Sequence, residues 1–348
     1  MYKLHFILAT IVELMAKKTL SVFIILYFLP HLYALRLTDP FTKYSQLNLP
    51  PGPVGPDSVA LNPSNKGPYV GVSDGRILKY NGREFEDFAW ISPNRSKALC
   101  DGVRNLTMGR TCGRTLGFSF DPQTGDLYVV GAYGGFYRVG PKGGLAKKIA
   151  SGVNNVPFKF LNGIDFDPYR RVVYFTDTSS KYNFTDVLMG NPLSSKDSTG
   201  RLIEYDTRTG KLRVLLDKLH LPTGPAASGD GRYVMYGSFG THQIFKYYFK
   251  GEPQKVLDLP GYPLKIKRSP ESGLFWVPVN VVVRQKPLLI HSFGYKFNST
   301  GGVILAKSFA AQYSGVQVNI VQEYRSNLGR RRLYVGSINV AFVGVYES

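Results

Sequence analysis

The sequence predicts an all-β fold, a six-bladed β-propeller with four-stranded blades. Strand signals dominate: RLIEYDTRTGKLRVLL, DLYVVGAYGGFYRVG and QIFKYYFKGEPQKVLDL alternate apolar and polar residues between Gly, Asp, Pro and Asn turns. The 23 Tyr and 22 Phe supply aromatic content suited to a pleated, half-buried surface. A unit also recurs, made of an apolar strand, a turn such as DPQTG, DPYRR, SGDGR or SPESG, and an aromatic strand. Six copies begin near residues 59, 117, 163, 225, 266 and 320. That spacing, roughly forty to sixty residues, is a propeller period with insertions. A β-sandwich would not explain the recurrence.

Along the chain, the first segment reads as a leader. Met15 is a second candidate start, and the MAKK it opens is followed by TLSVFIILYFLPHLYA: a positive region, an apolar run and a small residue, Ala34, at the cut. The apolar run from Val22 to Leu29 is short for a bilayer span, and Glu13, Lys17 and Lys18 interrupt a longer one using Leu4 to Val12. Residues 1–34 are therefore expected to be a cleaved secretory signal, with 35–348 as a single propeller domain and no membrane span after cleavage. A strand near residues 42–49 is expected to close the ring against the last blade. Between the first two units, Cys100 and Cys112 are the only cysteines; in an oxidising lumen their spacing suits a local disulfide better than a metal pair, since no CxxC and no nearby His accompany them. Four N-x-S/T sequons, Asn94, Asn105, Asn183 and Asn298, are candidate glycosylation sites in such a compartment.

The formal net charge is +19, yet no long Lys/Arg block and no nucleic-acid motif is present. The longest cluster, Arg330 to Arg332, reads as a turn entering the LYVGS strand. A solvated basic surface is the expectation, with no nucleic-acid partner. The histidines, including His220 and His291, show no metal spacing, and His242 in THQIFKYY is expected to be structural. GAYGG lacks a following P-loop Lys-Ser/Thr, G-x-S-x-G is absent, and Asp165 and Asp167 in GIDFDP are expected to cap turns.

In a propeller the innermost strand of each blade lines the central channel, so residues at the starts of those strands converge at one mouth. Asp57, Asn162, Thr223, Lys265 and Asn319 hold those places in five units. Lys265 is the unusual one, an ammonium among Tyr262, Pro263, Leu264 and Ile266. A buried lysine without an acceptor loses its charge. Pairing with Asp57, snorkelling into a wet channel and a lowered-pKa amine for Schiff-base chemistry are the three open roles.

The segments GPVGPDSVAL, NKGPYVGVSDGRILKY, CGRTLGFSFDPQTGDLYVV, VPFKFLNGIDFD, VVYFTDTSS, TGRLIEYD, THQIFKYY, IKRSPESGLFW and RLYVGSI, spread from about residue 52 to 345, resemble the plant strictosidine synthase-like family. The resemblance implies a six-bladed propeller, a secretory, vacuolar, endoplasmic-reticulum or extracellular location, and a small-molecule ligand. Its founding enzymes condense an amine with an aldehyde using a glutamate as acid/base. Alignment back from RLYVGSI puts Asn319 at that glutamate and Gln317 at a histidine, both amides that cannot take up a proton at any useful pH. Phe239 matches an aromatic wall, and Phe160 stands where an indole ring is usual. Glu323 is a conceivable replacement, but four residues along a strand is roughly 13 Å.

More distant relatives are calcium hydrolases of the lactonase and paraoxonase type. The resemblance implies an acid, two Asn and an Asp-Asn pair around the ion. Asp57 and Asn162 keep two of these, Thr223 replaces an Asn, and Leu264-Lys265 replace the pair. No cofactor is therefore expected, and calcium least of all. Three functions compete: a strictosidine synthase-like protein that binds or transforms an amine- or aldehyde-derived, alkaloid-type metabolite without the usual glutamate; a lactonase-type hydrolase; and a non-enzymatic propeller for a ligand or partner.

Overall fold

Short strands joined by tight Gly, Asp and Pro turns pair with their sequence neighbours, and each blade is accordingly an antiparallel meander. The computed structural model describes residues 39–189, 196–285 and 288–348; the leader assigned to residues 1–34 lies outside them. The six inner strands are Ser58–Ala60, Thr115–Phe120, Leu161–Asp167, Pro222–Ala227, the interrupted pair Tyr262–Pro263 and Lys267–Arg268, and Ile320–Arg325. These define blades 1 to 6. The ring closes as expected: strand Lys43–Asn48 is the outermost of blade 6 and pairs with Phe342–Glu347, Lys43 opposite Glu347. No helix among the described residues is long and apolar enough to cross a membrane.

Period-two alternation sends one set of side chains from every blade into the gap beside the next. Tyr128 and Phe136 of blade 2 meet Phe166 and Phe175 of blade 3. Met235 and Ile244 of blade 4 meet Ile266, Phe275 and Val277 of blade 5. Val59 and Val70 of blade 1 meet Ile320 and Val345 of blade 6. Each such side chain contributes about 1.5–3 kcal/mol by leaving water, so blade-to-blade packing holds the inner strands in place.

Polar clamps supplement it. Glu323, buried in blade 6, accepts from Ser269 Oγ (2.7 Å), Trp276 Nε1 (2.7 Å), Lys296 Nζ (3.1 Å) and Arg331 Nε (2.7 Å). Four donors from two blades consume its oxygens, so it is a joint between blades 5 and 6 and not a free carboxylate for chemistry. Asp167 caps its turn, accepting from the amides of Tyr169 and Arg170 at 2.9 and 3.0 Å. Asp165 does not: its Oδ2 accepts from Ala227 N at 3.0 Å and lies 3.4 Å from Arg268 Nε. It bridges blades 3, 4 and 5, because it lies two residues earlier on the strand than Asp167, within reach of the neighbouring inner strands and short of the turn amides. Cys100 and Cys112 form the expected disulfide, with Cα atoms 5.4 Å apart, joining the short helices Lys97–Cys100 and Gly109–Cys112. Of the sequon asparagines, Asn94 and Asn105 are exposed, while Asn183 and Asn298 are half-buried.

Burial pushes the Glu323 carboxyl up, but the hydrogen bonds from Ser269 and Trp276 and the charges of Lys296 and Arg331 outweigh it and hold the group below the ordinary glutamate value. A depressed carboxyl stabilises the fold above its unfolded pKa and loses that contribution as pH falls through the folded one. Glu323→Gln is therefore expected to destabilise the fold by about 2–3 kcal/mol near pH 7, since Lys296 and Arg331 lose their buried carboxylate and keep only the more exposed Glu271. The gap between variant and wild type should narrow as urea-unfolding curves are taken down through the acid range.

Candidate functional site

The inner strands are irregular at one common level. Register shifts fall between Thr115 and Gly117 in blade 2, Leu161 and Ile164 in blade 3, and Thr223 and Ala226 in blade 4, and the blade 5 strand breaks between Pro263 and Lys267. Bulges re-aim side chains and bend strands, and here they do so where the backbones crowd. A Cβ on Gly163 would lie 2.2 Å from Gly224 Cα, and one on Gly224 would lie 2.3 Å from Lys265 Cα. Only glycine permits that approach. Ile266 N donates to Gly224 O (3.2 Å) and Lys265 N to Asn319 O (3.3 Å), linking blades 4, 5 and 6 backbone to backbone.

A cavity of about 330 Å³ opens at this level. Its polar lining is Asp57, Asn162, Thr178, Thr223, Asn280, Gln317 and Asn319; Leu116, Leu264 and Ile338 contribute apolar surface. Two aromatic pairs form walls. Phe160 and Phe184 have centroids 5.7 Å apart, and Phe239 and Tyr262 are 4.6 Å apart, with His242 edge-on to Tyr262 at 4.3 Å. Phe184 comes from helix Phe184–Leu188, which Asn183 caps by accepting from the amides of Thr185 and Asp186. Val187 and Leu188 of that helix also line the cavity.

Several polar groups are committed to the scaffold. Asn319 Oδ1 accepts from Ile338 N at 3.0 Å, and Thr223 Oγ1 donates to Pro263 O at 3.3 Å. Asn280 accepts from Ser292 Oγ and Val318 N and donates to Val318 O. These bonds brace the loops that frame the opening.

Beneath the cavity Lys265 Nζ donates to Asp57 Oδ2 at 2.7 Å, across the channel from blade 5 to blade 1. Asp57 is 2% exposed and Lys265 1%. Burial pushes the Asp57 carboxyl up and the Lys265 ammonium down, while each pulls the other back towards its charged form. Arg114, also buried, adds a second cation to the field at Asp57, and its guanidinium lies over the Phe184 ring at 5.1 Å. Asp57 Oδ1 is buried with no hydrogen-bond partner among the described residues. Two residues beyond Lys265, on the same side of the strand, Lys267 Nζ donates to Ile164 O at 3.1 Å, and burial brings its pKa down to about 8.

The structure thus brings Asp57, Asn162, Thr223, Asn319, Gln317, Phe160 and Phe239 to one cavity and sets Lys265 under it. Glu323 stands elsewhere, in its clamp. Blade 2, for which the sequence supplied no candidate, contributes the apolar Leu116. Phe184, Tyr262 and Asn280 were also missed. One local signal marks the level: Leu116-Gly117, Asn162-Gly163 and Thr223-Gly224 repeat a lining residue followed by glycine.

The strictosidine synthase family profile matches residues 162–252. Over 313 residues the chain is 36% identical to Protein STRICTOSIDINE SYNTHASE-LIKE 12 of Arabidopsis thaliana, covering 88% of this chain and 90% of that protein. It is 33% identical over 298 residues to the Strictosidine synthase of Catharanthus roseus, covering 83% and 82%. Among solved structures, a gluconolactonase of Xanthomonas campestris superposes with a TM-score of 0.54 at 12% identity, covering 87% of each chain. At that identity the likeness is one of fold.

Removing one partner from a buried pair strands the other, whereas removing both does not. Lys265→Met is expected to cost about 3–5 kcal/mol, and Asp57→Asn/Lys265→Met to recover most of that loss. A double-mutant cycle by urea unfolding checks it; additive single-variant costs would show that the two side chains do not depend on each other.

Proposed function

The chain belongs to the strictosidine synthase-like family, and we propose that it binds a small ring-bearing metabolite in the channel mouth and that any transformation there proceeds without the family's glutamate. The observation that carries this reading is the cavity itself: about 330 Å³, within the range of small-molecule sites, between two aromatic walls. Flat rings gain from such walls by burial and by edge and face contacts. The family resemblance supports an amine- or aldehyde-derived, alkaloid-type molecule as the class from which the ligand comes.

Asn319 stands where the resemblance places the acid/base, and its amide oxygen is occupied by the Ile338 amide. A general base must be ionisable near its operating pH. Asp57, the one carboxylate lining the cavity among the described residues, already holds Lys265. These observations support loss of the original condensation step.

Hydrolysis with calcium is the second reading, favoured by the propeller fold shared with a gluconolactonase. Calcium takes six to eight oxygens, several of them carboxylate. The donor set here offers one carboxylate with an ammonium 2.7 Å from its Oδ2, and no three His, Cys, Asp or Glu among the described residues group as ligands. The residues do not fit the ion, and Lys265 is read as the cation in its place. The disulfide supports passage through an oxidising secretory compartment, where the four sequons would be candidates for glycosylation.

Two measurements test these readings. In thermal-shift titrations the wild type should be indifferent to calcium and to EDTA, and Lys265→Asn should be the form that gains any response. Stabilisation of the wild type by calcium would return hydrolysis to first place. With indole as the probe, Phe160→Ala and Phe239→Ala should each weaken binding about tenfold, which is about 1.4 kcal/mol; unchanged affinity in both would remove the cavity as the ring site.

A further inference from the structure

We propose that the head group recognised at the floor of this cavity is a neutral hydrogen-bond donor, a hydroxyl or an uncharged N–H, and that the site rejects an ammonium. The inference rests on the reading of the cavity as a ring-binding site and narrows its ligand. It begins with Asp57, the one charged residue in the lining among the described residues. Its Oδ2 holds Lys265, and its buried Oδ1 has no partner. A buried carboxylate oxygen left unpaired is costly, and a ligand that donates to it removes that cost.

Ammonium and hydroxyl can both donate, so charge decides between them. The charged groups acting on Asp57 are Lys265 and Arg114, two cations against one carboxylate, all three buried. Arg114 also lies over the ring of Phe184, part of the cavity wall, which brings its positive charge close to the ligand space. An ammonium entering would shed its water and stand beside two like charges, with the one available countercharge already shared. A carboxylate fares no better at this point, because the group it would meet is the lone pair of Asp57 Oδ1. A hydroxyl satisfies that lone pair with no charge to bury. The remaining polar side chains of the lining, Asn162, Thr178, Thr223, Asn280, Gln317 and Asn319, are neutral as well.

Three probes that share one ring and one chain length isolate the head group: 2-(indol-3-yl)ethanol, 2-(indol-3-yl)ethylamine and indole-3-acetate. In isothermal titration with the full-length chain at pH 7, the alcohol is expected to bind at least tenfold more tightly than either charged probe and more tightly than indole. Lys265→Met, where it folds, should gain affinity for the amine, since one of the two repelling cations has gone. Amine binding equal to or tighter than the alcohol in the wild type overturns the proposal. Tighter binding of the acetate overturns it in favour of an anion site built on Arg114 and Lys265. If indole binds through Phe160 and Phe239 but the alcohol gains nothing over it, the head-group inference fails while the ring site stands. If none of the four binds, the ring site itself falls.

Discussion

Six inner strands converge on one axis, and at the level of the site their backbones come so close that Gly163 and Gly224 cannot carry a Cβ. Much else follows from that crowding. Strands packed this tightly cannot stay regular, so they bulge or break in blades 2 to 5, and the bulges turn Leu116, Asn162, Thr223 and Leu264 towards the same space. The approach of Gly224 to Lys265 brings the blade 5 backbone near the axis. From there a four-carbon side chain reaches past blade 6 to Asp57 at the start of blade 1.

Holding that pair in the dry centre of a ring is not an efficient route to stability, since apolar residues of similar volume often serve as well or better. What the pair supplies is a fixed charge distribution. Propellers that gather oxygen ligands around a metal keep a cation whose occupancy follows its concentration in solution. Here the ammonium is bonded to the chain, so the field at the channel mouth changes only when the pair changes protonation. With Arg114 over the Phe184 ring, it leaves an interior that is positive in sum and one buried carboxylate oxygen without a partner among the described residues.

Much of this was legible in the sequence because it is local. Blade repeats show as alternation and turn chemistry, and each inner strand runs into its turn, so the starts of those strands located Asp57, Asn162, Thr223, Lys265 and Asn319. The rest depends on where distant segments return. Phe184 lines the cavity through a five-residue helix set by its Asn183 cap, and nothing in NFTDVL says which way the loop folds back. Tyr262 was visible only as an apolar neighbour of Lys265, although its ring forms a wall with Phe239. Asp165 was read by its neighbourhood in a turn motif, yet its partner Ala227 lies in the next blade. The glycines following lining residues drew no reading, because close backbone approach leaves no periodic trace.

The closure of the ring carries a consequence for the order of assembly. Lys43–Asn48 emerges first of the described strands, but its partner Phe342–Glu347 is made last, so the two ends must wait for each other. Contacts of such high sequence separation are slow to form, and an unsatisfied strand edge in the interval invites pairing with the wrong chain. The composition of the early strand suits that wait. KYSQLN is polar at four of its six positions and stays largely in water even after it docks, so it can remain solvated while five blades are built. The late partner, FVGVYE, carries the apolar surface, and by the time it is made, blades on both sides are ready to cover it.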